Sequence, residues 1–132
     1  MPEERKRHAQ KIMILGVDGM DPRYTRYMVD RGMMPNVAEY IKRGACREDL
    51  VLLGGHPTIT PPMWTTLATG CYANVHGITD FYRQHPEDLS GVCYALDSRD
   101  CKAEQLWNVT AEAGIKTLVF HWPGASWPPS SD

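Results

Sequence analysis

The run HPTITPPMWTTLATG, from His56 to Gly70, constrains the fold of this chain more than any other stretch. Two consecutive prolines lack the N–H groups a helix interior needs, and proline is favoured at the first helical position, where that donor is spare. The pattern predicts Thr60 as N-cap and Pro61 as the first helical residue. Trp64, Leu67, Ala68 and Cys71 then recur at helical spacing, with Gly70 as the C-terminal breaker. A helix N-terminus gathers partial positive charge and open amides, which suit a phosphate or another anion, and Thr60 would stand in that seat. Because Pro61 and Pro62 have no N–H, the earliest amides available are those of Met63 and Trp64. A purely structural alternative is that Thr60 only caps its helix through the Met63 amide.

A second constraint lies near the start. KIMILGV, Lys11 to Val17, is an apolar, β-branched run without polar alternation, as in a parallel strand covered on both faces, and it stops at Asp18-Gly19. Open α/β sheets bind ligands beyond the carboxyl ends of their strands, where Asp18 falls. Asp-Gly is equally a common turn pair, and Asp a common helix cap. Further along, helices are expected from Pro22 to about Gly32, from Pro35 to Gly44 and from Ala103 to Ala113. Strands are expected at Asp49–Leu53, within Gly91–Asp97 and at Lys116–Phe120. This alternation predicts a doubly wound α/β sheet with Asp18 and Thr60 at one edge.

Taken together, VDGMDP, MPNVAEYIKRGA, HPTITPPMWTTLATGCYANVHGI and the closing HWPGASWPP resemble the type I phosphodiesterase/nucleotide pyrophosphatase family of the alkaline phosphatase superfamily. The resemblance implies a three-layer α/β/α fold with a mostly parallel sheet, incomplete in this chain. Residues 1–10 would then be a polar lead-in and residues 11–132 the N-terminal part of the catalytic domain. It also implies a metal-dependent hydrolase of phosphate esters, with Asp18 as a metal ligand and Thr60 as a nucleophile held on the same metal. The complete domain would carry two divalent ions, zinc by resemblance, and the amides of Met63 and Trp64 would face the substrate phosphate. Such an ion is what a threonine needs, since zinc lowers the pKa of bound water from roughly 16 to about 7 and favours an alkoxide in the same way. His76, in His76-Gly77-Ile78, would support the loop around the nucleophile without binding metal. Met63 stands where the best-known nucleotide pyrophosphatases have Asn, and the Asp-His pair of the family's ligand pattern does not occur in this sequence. A phosphoglycerate-mutase-like phosphotransferase is the enzymatic alternative. The other is a truncated, non-catalytic interaction module.

Composition narrows the remaining classes. The chain has 132 residues, a hydrophobic share of 42% and a charged share of 23%, as in ordinary globular proteins. A net charge of -2 gives no electrostatic footprint for nucleic acid, and Arg5-Lys6-Arg7 reads as a solvated lead-in. IMILGV is too short to span a membrane, and the residues before it mix acids and bases unlike a signal peptide, so a cytoplasmic location is expected. Cys46, Cys71, Cys93 and Cys101 show no Cys-x-x-Cys spacing and are expected as reduced structural thiols. The expected partner is a small phosphate ester, with neither nucleic acid nor membrane. An unfinished sheet would expose an edge able to pair with a second copy. The final SWPPSSD offers no cap or strand partner and reads as a loop that continues elsewhere.

Overall fold

A computed structural model describes residues 9–47 and 58–125. The chain divides into two compact units, the first ending at Arg43 and the second beginning at Gly44. The first unit holds α1 (Pro22–Asp30) and α2 (Pro35–Arg43), each opened by a proline as expected. Asp21 starts α1 from an extended conformation, its carboxylate accepting the amides of Arg23 at 2.8 Å and Tyr24 at 2.9 Å. Those donors would otherwise be orphaned, and they hold the Asp21 carboxyl below its usual pKa of 3.8, the Tyr24 amide most strongly. Thr25, Met28 and Val29 on α1 and Val37, Ala38 and Ile41 on α2 are only half-buried, and no described residue of this unit is fully buried.

The run Lys11–Val17 departs from expectation. It forms no strand, and Ile12, Met13 and Leu15 are each about four-fifths exposed (82%, 85% and 79%). A parallel strand needs hydrogen-bonding neighbours, and the neighbour expected from the sequence, Asp49–Leu53, lies outside the described residues. Lys116–Phe120 likewise forms no strand and leaves Leu118 and Phe120 exposed.

The second unit contains the core. It runs α3 (Thr60–Thr69), α4 (Ala73–His76), β1 (Tyr82–Gln84), β2 (Val92–Tyr94), a 3-10 turn (Ser98–Asp100) and α5 (Leu106–Glu112). β1 and β2 pair antiparallel, Tyr82 opposite Tyr94 and Gln84 opposite Val92, so the sheet among the described residues is a two-stranded hairpin and not a parallel one. The expected strand in Gly91–Asp97 is thus present but paired with its immediate predecessor. The Arg83 guanidinium leaves the hairpin to grip the Asp100 carboxylate with two bonds of 2.9 and 2.8 Å, fastening β1 to the 3-10 turn. α5 begins at Leu106, later than expected, with Gln105 as its extended N-cap residue. Packing explains the shift: Gln105 is buried at 2% exposure, and its amide reaches the Gly124 carbonyl at 3.3 Å.

Trp64 of α3, Trp107 of α5 and Trp122 form the aromatic centre of this unit. Trp122 meets Trp64 edge-on at 4.9 Å and Trp107 at 6.1 Å. Aromatic pairs favour this geometry because a positive ring edge faces a negative ring face. The Trp122 Nε1–H is buried without a hydrogen-bond acceptor among the described residues. No helix among the described residues is long and apolar enough to cross a membrane.

Candidate functional site

α3 carries the candidate nucleophile at its head. The helix begins at Thr60 itself, with Ile59 as the extended N-cap residue (φ −121, ψ 161), so the boundary falls one residue earlier than the capping pattern predicts. Thr60 is half-buried, followed by an unbroken buried run from Pro61 to Thr65. The expected inward stripe is correct at Trp64 and Ala68, half-buried at Cys71, and wrong at Leu67, which is 49% exposed. Gly70 ends the helix with φ 67, a left-handed conformation that glycine adopts without the strain a Cβ brings.

The Met63 amide donates to the Ile59 carbonyl at 3.2 Å. Met63 is buried at 8% exposure, and an anion at the helix head would compete with that one longish backbone bond. Behind the head, the Thr65 hydroxyl donates to the Pro61 carbonyl at 2.7 Å and the Thr69 hydroxyl to the Thr65 carbonyl at 2.8 Å. These bonds turn two polar side chains back onto the helix and let it sit in an apolar setting.

His76 ties α3 to the turn that follows. It is fully buried, and its Nδ1 lies 3.1 Å from the Ile78 amide, which can only donate. Nδ1 is therefore the acceptor, the ring proton resides on Nε2, and Nε2–H donates to the Thr66 hydroxyl at 3.1 Å. The His76 carbonyl accepts the Lys102 amide at 2.9 Å, and Gly77, at φ 81, lies under the Lys102 side chain, which an added Cβ would meet at 3.2 Å. Burial pushes the His76 pKa below 6.5. Sequence reading assigned His76 a supporting place; its Thr66 partner carried no sequence signal, because the pair forms only when α4 folds back on α3.

Asp18 lies exposed in the turn after Lys11–Val17, in the unit opposite in sequence to that of Thr60, and it does not cap α1, a role that Asp21 fills. Of the other histidines, His56 falls outside the described residues, while the His85 ring nitrogen accepts the Glu87 amide at 3.2 Å and exposed His121 stacks on Phe120 at 4.4 Å. Asp80 accepts the Phe81 amide, and the four cysteines are free thiols. Among the described residues, no three His, Cys, Asp or Glu side chains gather into a group able to hold a metal ion. One carboxylate and one hydroxyl fall short of the four donors zinc usually takes, so the described residues do not build a metal centre by themselves.

A half-buried hydroxyl thus stands at the head of a helix whose next two residues are prolines and which is backed by a packed aromatic core. The chain belongs to the type I phosphodiesterase / nucleotide pyrophosphatase family, whose profile matches residues 12–132. It is 30% identical over 118 residues to the bis(5'-adenosyl)-triphosphatase enpp4 of Xenopus laevis, covering 87% of this chain and 25% of that protein. It is 25% identical over 119 residues to ectonucleotide pyrophosphatase/phosphodiesterase family member 1 of Homo sapiens, covering 86% of this chain and 12% of that protein. The chain thus spans a quarter or less of the length of these curated relatives. No solved structure matches it significantly. Family membership brings with it an alkaline-phosphatase-like α/β fold, of which the described residues contribute helices and one antiparallel hairpin.

Proposed function

We propose that this chain is the nucleophile-bearing part of a metal-dependent phosphodiesterase or nucleotide pyrophosphatase, with Thr60 as the attacking group. The observation that carries the reading is the placement of the Thr60 hydroxyl at the head of α3, a helix anchored behind it by the buried run Pro61–Thr65. That anchoring fixes the hydroxyl against a rigid element, which favours in-line attack on phosphorus. Pro61 and Pro62 leave the Met63 and Trp64 amides as the first backbone donors able to face a non-bridging phosphate oxygen. Asp18 would contribute one carboxylate to a divalent metal and Thr60 a second donor, with the remaining ligands supplied elsewhere in the complete domain. A bound zinc would supply Lewis acidity that makes the hydroxyl a competent nucleophile near neutral pH. The central sheet of the complete domain would be mostly parallel and covered on both faces, with Lys11–Val17 as one of its strands.

The test is turnover of bis(4-nitrophenyl) phosphate by the native gene product. Thr60→Ala should lower kcat by about a thousandfold or more, while Thr60→Ser keeps part of the activity and still traps a phosphorylated residue at position 60. Undiminished turnover by Thr60→Ala would remove Thr60 as nucleophile. Release of free phosphate or monoester distinguishes hydrolysis from a phosphotransferase, which would return the phosphoryl group to an acceptor.

A second reading, self-association, is favoured by the exposed apolar runs Lys11–Val17 and Lys116–Phe120. Exposed apolar runs of strand-like composition can recruit another strand, here from a second copy of the chain.

A further inference from the structure

We propose that His76 is an acid-sensitive latch, whose protonation unfastens the α3–α4 junction while the tryptophan core keeps α3 folded. The two ring nitrogens of this fully buried side chain hold opposite roles: Nδ1 accepts the Ile78 amide at 3.1 Å, and Nε2–H donates to the Thr66 hydroxyl at 3.1 Å. Only the neutral Nε2–H tautomer can satisfy both. A second proton must go onto Nδ1, where it would point at the Ile78 N–H. Two donors then face each other and the turn Gly77–Ile78 loses its anchor.

No carboxylate accepts a hydrogen bond from the His76 ring among the described residues. Among the described residues, the titratable groups on the elements around His76 are Cys71 after α3, Tyr72 at the cap of α4, Asp80 beyond Ile78, and Cys101 and Lys102 on the segment whose backbone meets the His76 carbonyl. Burial raises the Cys101 thiol above its usual pKa, so it stays neutral in acid. The Asp80 carboxylate accepts the neighbouring Phe81 amide, and Lys102, lying over Gly77, carries the same charge an imidazolium would. Burial is the cause of the lowered His76 pKa. The sign follows directly. With the folded value below 6.5, the contribution of His76 to the junction is complete above about pH 6.5 and disappears as pH falls through its lower, folded-state value. Ring expulsion breaks the Thr66 bond at the same time, releasing α4 from α3, whereas α3 itself stays folded with Trp64 held by Trp122. The latch stands whether or not Thr60 is the attacking group.

The experiment is assigned histidine 15N NMR on the whole chain, with amide exchange followed from pH 7.5 to 4.5 and corrected for intrinsic rates. At pH 7.5 the ring should show a pyridine-like Nδ1 and a protonated Nε2. On acidification His76 should titrate below the histidine of an unfolded peptide of the same local sequence. The Ile78 protection factor should then fall by about tenfold or more while Trp64 and Ala68 stay within about twofold. His76→Gln, whose amide can accept and donate but not titrate, should keep Ile78 protection constant across the range. A protonated Nδ1 at pH 7.5, titration at or above the peptide value, protection unchanged on ring protonation, or the same acid loss in a folded His76→Gln chain would each overturn the proposal. Should His76→Gln fail to fold, the tautomer, titration and exchange readings on the native chain decide alone.

Discussion

Asp21 and Asp97 are capping residues whose charge matters more than their bulk. Asp21 holds two amides at the head of α1, and Asp97 opens the 3-10 turn by accepting the Arg99 amide at 3.0 Å while its carboxylate pairs with the Arg99 guanidinium. The Arg99 side chain, then its amide, lowers the Asp97 pKa from 3.8 to about 2. With the folded value depressed, this contribution is fully present above pH 3.8 and is lost as pH falls towards about 2. The expected outcome is that Asp97→Asn flattens the acid limb of stability between those values, read as urea midpoint against pH. Trp122 makes a different prediction. Its buried indole N–H lacks an acceptor among the described residues, and an unsatisfied donor costs about 1–3 kcal/mol. Trp122→Phe should therefore change stability by no more than about 1 kcal/mol, because removing that donor offsets lost contact area. Trp64→Ala, by contrast, should cost about 3–5 kcal/mol in urea unfolding, since it empties a buried ring site.

Helix starts were legible because they are written in local chemistry. Pro22 and Pro35 each open a helix, Pro61 follows Thr60 in the first turn of a third, and Gly70 closes that one, so α1, α2 and α3 could be placed from sequence to within about a turn. The strands were less legible. Lys11–Val17 and Lys116–Phe120 have strand-like composition, but a strand exists only through its neighbours, and composition says nothing of which neighbours are at hand. Gly91–Asp97 found its partner because Tyr82–Gln84 lies within hairpin reach. The candidate site divides in the same way. Thr60 and its helix were readable, whereas the Thr66–His76 bond and the occupied Met63 amide depend on tertiary and cap geometry that no short motif encodes. At the element scale, Gly70→Ala should cost about 1 kcal/mol, from backbone strain alone, because a Cβ there meets open space. A thermal shift of the variant chain is the check, and α3 should keep its length in its amide exchange pattern.

For the molecule as a whole, two units of unequal solidity share one chain. The second has a buried centre, whereas among the described residues the first has none, and this difference should show as earlier loss of amide protection in residues 22–43 than in residues 60–69. The exposed runs set a second expectation. If they recruit another copy, light scattering will show mass rising with concentration, and Ile14→Lys with Leu118→Lys will return the chain to monomer; concentration-independent monomeric mass would rule that association out. A third concerns metal. With one carboxylate and one hydroxyl as its candidate donors, this chain alone should lose zinc on dialysis, and stoichiometric retention would contradict that donor count. The indole of Trp122 meets those of Trp64 and Trp107 at steep angles, with ring centroids 4.9 and 6.1 Å away, so their electronic transitions couple. The chain thereby carries its own optical gauge: a near-ultraviolet circular dichroism signal that reports whether the helix behind Thr60 is seated, without a label or a substrate.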